Sequence, residues 1–137
     1  MTGEGLLRAS VILVDDDAAV RQALSLYLET LHGFHVTAVA DLKALATALA
    51  ATAAAPTLLI ADFNLGHHET GLDAVNLARE FYGTTVPAML LTGDCGFSLF
   101  AASAIPALRV LTKPFKFEAF SAALDELVLP LQSEAPP

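Results

Sequence analysis

The sequence predicts an α/β domain whose five-stranded parallel sheet is covered by helices on both faces. Short apolar runs rich in β-branched residues alternate along the chain with segments in which apolar residues recur at helical spacing. A right-handed crossover between parallel strands lays each helix on one face of the sheet. The 137 residues fit one domain, and the hydrophobic fraction of 55% supplies enough apolar surface for a single compact core.

The first two strand-helix units follow one another directly. The apolar run Val11–Val14 indicates a strand buried on both faces, and Gly33 is the stop signal of the helix that follows it. Four residues mark the core face of this helix: Val20, Leu24, Leu28 and Leu31. The second unit has a strand over His35–Ala40 and a helix that Asp41 caps. Leucines at helical spacing mark that second helix: Leu42, Leu45 and Leu49.

Three further units complete the alternation. A strand after Pro56 is followed by a helix with Leu72, Val75 and Tyr82 on its core face. Val86–Thr92 is a fourth buried strand, and a short Ala-rich helix is predicted over Ser98–Ala104. The fifth strand is Leu108–Thr112. The final helix has four residues on its predicted core face: Phe117, Phe120, Leu124 and Leu127.

The composition argues against nucleic-acid binding, membrane insertion and secretion. The net charge is −8, and the 7 Lys and Arg residues are scattered along the chain. No apolar run approaches the roughly 18 residues that a membrane span needs. The first ten residues lack the apolar stretch of a signal peptide, and a single cysteine, Cys95, cannot form an internal disulfide. We therefore expect a cytoplasmic protein whose acidic surface suits metal ions or protein partners.

Polar side chains follow four of the predicted strands, at the point where each strand ends. Asp15 and Asp16 follow the first strand, Asp62 the third, Thr92 the fourth and Lys113 the fifth. The carboxyl ends of parallel strands meet at one edge of a sheet, so these groups should converge. Neighbouring carboxylates repel one another unless a cation neutralises them, and a hard divalent ion with oxygen ligands is the simplest candidate. Together with a hydroxyl and an ammonium, they could hold a cation and a phosphoryl group.

Four motifs in this order resemble the receiver domain of two-component response regulators. They are Asp15-Asp16, Ala61-Asp62-Phe63-Asn64, Leu91-Thr92-Gly93 and Lys113-Pro114-Phe115. The resemblance implies a flavodoxin-like (βα)5 fold, a doubly wound parallel sheet with strand order 2-1-3-4-5 in a single domain. We assign residues 11–129 to this domain, 1–10 to an N-terminal extension and 130–137 to a C-terminal tail.

The resemblance implies that Asp62 is the phosphoacceptor, forming an aspartyl phosphate from a phosphohistidine or a small acyl phosphate. Mg²⁺ would be bound by Asp16, by Asp62 and by the main-chain carbonyl of Asn64, while Asp15 would act through water. Lys113 would pair with a phosphoryl oxygen as a point charge.

The Thr92 hydroxyl would bond another phosphoryl oxygen, as the family's switch residue. A cis bond between Lys113 and Pro114 would aim the lysine inward. Asn64 and Asp94 lie two residues beyond the acceptor and the threonine, where the family tunes access of water to the acyl phosphate.

Two departures from the family pattern concern the switch and the loop after the acceptor. The position three before Lys113 is usually aromatic and is Val110 here, which is too small and too stiff to follow a threonine as a ring does. Gly66 stands where proline is common, in a loop that is one residue longer. That loop and Leu90–Asp94 are similar to receivers attached to hybrid sensor histidine kinases.

Several residues have simpler interpretations. Asp17 is predicted to be a helix cap or a solvated acid rather than a ligand. His67, His68 and Glu69 are consecutive on a polar loop and seldom would converge on one metal ion, so we assign them to solvent. Cys95 has neither a partner cysteine nor an evident base and is assigned to packing.

The leading hypothesis is a phosphorelay signalling switch that takes its phosphoryl group from a histidine kinase or a histidine phosphotransfer protein and alters a contact with a downstream protein. It is not an enzyme beyond its own phosphoryl transfer and autodephosphorylation, and it would be a monomer or a weak homodimer. One alternative is a receiver-like interaction module that ignores phosphorylation. Another is a receiver domain excised from a hybrid sensor kinase. A flavodoxin-type cofactor carrier or a phosphatase ranks last. The acids after the first strand would repel a cofactor phosphate, and a phosphatase with an aspartyl nucleophile normally has a second Asp two residues on, where this chain has Asn64.

Overall fold

The computed structural model describes residues 9–52, 55–93 and 104–133, with no side-chain description for 129–133. Strands and helices alternate over most of this range. The strands are β1 (Ser10–Val14), β2 (His35–Val39), β3 (Leu58–Asp62), β4 (Asn64–Gly66), β5 (Glu69–Thr70), β6 (Ala88–Thr92) and β7 (Leu108–Thr112). The helices are α1 (Ala18–His32), α2 (Leu42–Ala50), α3 (Gly71–Tyr82) and α4 (Phe117–Ser133).

Five strands form one parallel sheet, in the order β2-β1-β3-β6-β7. Counted along the chain without the short β4 and β5, this is the predicted order 2-1-3-4-5. The register pairs Val14 with Val39 on one side of β1 and with Ala61 on the other. At the far edge, Thr92 is paired with Thr112. The ends of β1, β3, β6 and β7 therefore lie at one edge of the sheet, which confirms the predicted fold class.

The core consists of two clusters, one on each face of the sheet. The residues of β1 alternate between them, since Val11 and Leu13 belong to one cluster and Ile12 and Val14 to the other. The first cluster packs the sheet against α1 and α4 through Leu24, Leu28, Phe120, Leu124 and Leu127. The second packs it against α2 and α3 through Leu45, Leu49, Ala74, Val75 and Ala78. The sheet is thus covered on both faces.

Local capping signals act as the sequence indicated. The Asp17 carboxylate accepts hydrogen bonds from the backbone N–H groups of Ala19 and Val20 at the start of α1. Gly33 ends that helix in a left-handed conformation, with φ of 68°. Asp41 caps α2 by accepting from the Ala44 N–H at 2.8 Å. Asp17 is therefore a helix cap, as predicted.

Two predicted core residues are exposed. Leu31 of α1 is 67% exposed and Phe117 of α4 is 52% exposed. Leu31 lies one turn beyond Leu28, near the end of α1. The Phe117 ring stacks on Tyr27 with the ring centroids 4.4 Å apart, at the seam between the two helices. Helical spacing indicates which face a residue lies on, but it does not indicate how far along that face the core extends.

Element ends differ from the prediction at both termini. β1 begins at Ser10, which is paired with His35, and α4 continues to Ser133, beyond residue 129. Backbone hydrogen bonds set the ends of a strand or helix, and apolar spacing in a sequence does not locate those ends to the residue. The helix predicted over Ser98–Ala104 falls largely outside the described residues, as do Asp94 and Cys95. Within the described ranges, none of the helices has the length and apolarity needed to cross a bilayer.

Candidate functional site

Three carboxylates converge at the edge where the parallel strands end. Asp15 and Asp16 follow β1 directly, and Asp62 is the last residue of β3. Each of the three offers one carboxylate oxygen within 4.8 Å of the other two. The order β1-β3 makes their strands neighbours, so the sheet itself creates this acidic cluster.

Asp15 is the most constrained of the three. It is fully buried; one carboxylate oxygen, Oδ1, accepts the backbone N–H of Asp17 at 2.9 Å, and the other, Oδ2, is buried with no hydrogen-bond partner among the described residues. Burial raises the pKa of the Asp15 carboxyl, and the negative charges of Asp62 and Asp16 act in the same direction. The Asp17 N–H and the Lys113 ammonium oppose this increase. A buried carboxylate with a bare oxygen is a favourable ligand for a cation.

Asp62 is held from two sides. Its Oδ2 lies 3.2 Å from the Lys113 ammonium, and its Oδ1 accepts the backbone N–H of Asn64 at 3.3 Å. The Asp62 side chain is 14% exposed and the Lys113 side chain 36% exposed, so the pair lies at the mouth of the site rather than in the core. The Lys113-Pro114 peptide bond is cis, in agreement with the prediction.

These groups line an open cleft of about 480 Å³. Its walls include the three acids, Lys113, Asn64 and Gly93. The cleft is acidic on the β1 side and carries the ammonium of Lys113 on the β7 side. A small anion could enter from solvent, and its charge would be opposed by the acids unless a cation were also present.

Thr92 and Val110, the two residues singled out in connection with a switch, lie at different positions along their strands. Thr92 ends β6 and is 3% exposed, and its carbonyl accepts the Lys113 N–H at 2.7 Å. Val110, in the middle of β7, is half-buried and packs against the core cluster on the α2 and α3 face. The residue that stands where the family usually has an aromatic switch residue is therefore part of the packed sheet. Asp94 lies outside the described residues.

A short hairpin between β3 and α3 forms one wall of the cleft and was not predicted. β4 and β5 pair antiparallel, with an irregularity between Asn64 and Gly66. The turn residues His67 and His68 have φ of 50° and 66°, as in a two-residue type I′ turn. A Cβ atom on Gly66 would lie 3.5 Å from the Asp16 Oδ2, which places the hairpin backbone against the acid pair.

Gly71 also frames the site and was not predicted from the sequence. A Cβ atom at this position would lie 2.7 Å from the Asp62 carbonyl oxygen and 2.7 Å from the Leu90 Cδ2, so no larger residue fits without movement. Its N–H donates to the Phe63 carbonyl at 2.8 Å. The close approach brings the start of α3 against the end of β3. A glycine directly before a helical pattern was the available signal.

The family of this chain follows from comparison with known proteins. The model of the response regulator receiver domain matches residues 11–125. The chain therefore belongs to the receiver domains of two-component response regulators, the family that its strand-end motifs resemble.

Two regulatory proteins share this sequence pattern. VirG of Agrobacterium tumefaciens (strain 15955) is 36% identical over 120 residues, which cover 83% of this chain and 41% of VirG. VirG of Rhizobium rhizogenes is 35% identical over 120 residues, which cover 83% of this chain and 46% of that protein. The chain thus spans less than half the length of these relatives.

Solved structures agree with the fold. The chemotaxis protein CheY4 of Vibrio cholerae is 30% identical, with a TM-score of 0.72 over 88% of this chain and 98% of that one. A receiver domain protein from Clostridium thermocellum has a TM-score of 0.78 over 90% of this chain and 97% of that one. At 18% identity the second likeness concerns the fold alone.

Proposed function

We propose that this receiver domain accepts a phosphoryl group on Asp62 in a Mg²⁺-dependent reaction. The donor would be the phosphohistidine of a histidine kinase or of a histidine phosphotransfer protein. The observation that carries the proposal is the position of the Asp62 carboxylate, which lies between the Asp15-Asp16 pair and the Lys113 ammonium. A carboxylate that could act as the nucleophile, an acid pair suited to a cation and a positive charge lie in one open cleft, which supports this proposal.

The residues present fit Mg²⁺. The ion prefers oxygen ligands and keeps several waters, so it needs few protein groups. Asp16, Asp62 and the main-chain carbonyl of Asn64 would bind it directly, and the bare oxygen of Asp15 would receive a hydrogen bond from a bound water. When bound, Mg²⁺ would neutralise charge on the phosphoryl oxygens, which the acidic cleft otherwise repels.

Phosphoryl transfer would use three side chains of this protein: Asp62, Lys113 and Thr92. An Asp62 carboxylate oxygen forms the new P–O bond as the P–N bond of the phosphohistidine breaks, and the released imidazole nitrogen takes up a proton. Lys113 would exchange its contact with Asp62 for a phosphoryl oxygen, since the ammonium already lies 3.2 Å from the acceptor. The Thr92 hydroxyl would bond a second phosphoryl oxygen.

Asn64 and Asp94 would set the lifetime of the aspartyl phosphate. The Asn64 side-chain carbonyl oxygen accepts the Gly66 N–H at 3.2 Å, so this side chain is engaged with the hairpin. An Asn64 side chain held in this way is less free to orient a water for attack on the acyl phosphate.

Intact-mass analysis after incubation with Mg²⁺ and acetyl phosphate tests the acceptor. The wild type should gain one phosphate, and Asp62→Asn should gain none. Asp125→Asn, which removes an exposed acid of α4, is the matched control and should be modified like the wild type. Chelation of Mg²⁺ should prevent modification. An unmodified wild type, or a modified Asp62→Asn variant, would refute the proposal.

Val110 favours a second candidate, a receiver whose protein contacts do not depend on phosphorylation. A half-buried valine packed in the sheet has no ring to swing inward. Beryllofluoride mimics the phosphoryl group on Asp62. Amide chemical shifts measured with and without it distinguish the phosphorylation switch from the phosphorylation-independent module. A switch should show changes that extend into residues 104–112, whereas a phosphorylation-independent module should show changes confined to the cleft.

A further inference from the structure

The β4–β5 hairpin is joined to the core at both of its ends. At its start, the Asn64 N–H donates to the Asp62 carboxylate. At its end, Gly71 donates to the Phe63 carbonyl and lies against the Asp62 carbonyl oxygen. The Thr70 hydroxyl and the Asp73 carboxylate then form a capping box that begins α3. These contacts join residues at the base of the hairpin, where Asn64 is paired with Thr70, and they leave its turn end to other interactions.

Glu69, the first residue of β5, attaches the turn end of the hairpin to a different element. Its Oε1 accepts the backbone N–H of Leu42 at 3.3 Å. Leu42 is the first residue of α2, and its N–H has no partner inside the helix. The Asp41 carboxylate, which caps the same helix, accepts instead from Ala44. A negative charge at a helix N-terminus is also favoured by the helix dipole.

The hairpin needs such an attachment to keep its position. An isolated two-stranded hairpin is marginal in water, and the turn of this one holds two histidines in the left-handed conformation. Its inner side faces the cleft, where the Gly66 backbone approaches the Asp16 carboxylate. Asn64, whose carbonyl is a proposed Mg²⁺ ligand, lies on β4. Movement of the hairpin would therefore shift that carbonyl relative to Asp16 and Asp62.

We propose that Glu69 is a positioning residue for Mg²⁺ binding. It holds the β4–β5 hairpin to the N-terminus of α2 and so keeps the Asn64 carbonyl and the Gly66 backbone in place beside the acid pair. This inference rests on the proposed function, since it concerns the same cleft. Glu69 itself does not touch the ion; it acts through the backbone of the hairpin.

Calorimetric titration with Mg²⁺ tests this role in the full chain. Glu69→Ala should weaken Mg²⁺ binding by about tenfold. This is at the lower end of the losses in metal affinity seen when a residue that supports a metal ligand is removed. Glu69→Gln keeps an oxygen acceptor and should recover most of the affinity. In Glu69→Ala, amide hydrogen exchange should become faster for residues 64–70 and stay unchanged in β1, β3 and β6. That pattern separates loss of positioning from general unfolding.

Asp41→Ala is the matched control, because it removes a carboxylate from the same helix end without touching the hairpin. It should destabilise α2 and leave Mg²⁺ affinity within about twofold of the wild type. Equal Mg²⁺ affinity in Glu69→Ala and the wild type, or an equal loss in Asp41→Ala, would overturn this inference alone. A wild type that binds no Mg²⁺ would instead overturn the proposed function, and this inference with it.

Discussion

Asp15 is a single buried residue whose ionised carboxylate is unfavourable for the metal-free fold and, in the proposed function, helps to hold Mg²⁺. Its carboxylate is fully buried, carries a bare oxygen and is close to two other acids. Because burial raises its pKa above the ordinary 3.8, the folded protein holds the Asp15 proton more tightly than the unfolded chain does. The destabilising effect of ionised Asp15 is thus absent below that pH and grows as the pH rises above it, until the carboxyl has also ionised in the folded protein.

Asp15→Asn should therefore stabilise the metal-free protein at neutral pH by about 1 kcal/mol, since it removes a buried like charge. The same substitution should reduce the stabilisation that added Mg²⁺ provides. Urea unfolding followed by circular dichroism, with and without Mg²⁺, measures both effects, because the chain has no Trp. Asp16→Asn is the control: this exposed neighbour should change the metal-free stability little. A destabilised metal-free Asp15→Asn protein would contradict the prediction.

At the residue scale, the sequence predicted which side chains converge at the edge of the sheet but not the backbone that frames them. Asp15, Asp16, Asp62 and Lys113 stand out because each follows an apolar run, and strand ends in a parallel sheet converge. Gly71 was missed because its role depends on a carbonyl and a leucine from other strands. No local pattern records such an approach.

At the scale of elements, the hairpin after β3 is the main feature that the sequence did not reveal. Strand pairs are recognised by alternation of apolar and polar residues and by turn dipeptides such as Asn-Gly. The segment 64–70 has neither, and its turn is formed by His67 and His68. Its hydrogen bonds and the contact of Glu69 with α2 depend on tertiary structure. The prediction of a solvated polar loop was thus wrong about the backbone of this segment.

The turn chemistry leads to a stability prediction. Left-handed conformation costs a non-glycine residue roughly 1 to 2 kcal/mol, and Asn-Gly is the preferred pair for a type I′ turn. The double variant His67→Asn, His68→Gly should therefore raise the free energy of unfolding by about 1 kcal/mol, measured in urea. His35→Gly in the extended strand β2 is the control and should lower it. No gain in the double variant would show that tertiary contacts already offset the turn strain.

At the scale of the whole molecule, stability is divided between the two core clusters on opposite faces of the sheet. The sequence predicted this arrangement well, because a parallel sheet buried on both faces requires continuous apolar strands. How far the buried face extends along each helix was harder to predict. Phe117 and Phe120 have the spacing of one helix face, yet only Phe120 is buried.

These two residues form a matched pair on α4. Phe120→Ala removes a fully buried ring from the cluster between the sheet, α1 and α4, and should cost about 3 to 5 kcal/mol of unfolding free energy. Phe117→Ala loses a half-exposed ring stacked on Tyr27 and should cost about 1 kcal/mol. Urea midpoints of the two variants give the comparison. Similar losses of unfolding free energy in the two variants would contradict this prediction, because they would show that the core extends to Phe117.

The side-by-side placement of α1 and α4 also affects the order in which the chain can fold. The Tyr27 hydroxyl lies 2.6 Å from the Ser121 hydroxyl, although the two residues are separated by 94 positions. Contacts between such distant residues carry the largest loop-closure cost and are expected late in folding. During synthesis, this core cluster would lack the Phe120, Leu124 and Leu127 side chains until α4 has left the ribosome, which makes that half of the core the part most exposed to aggregation.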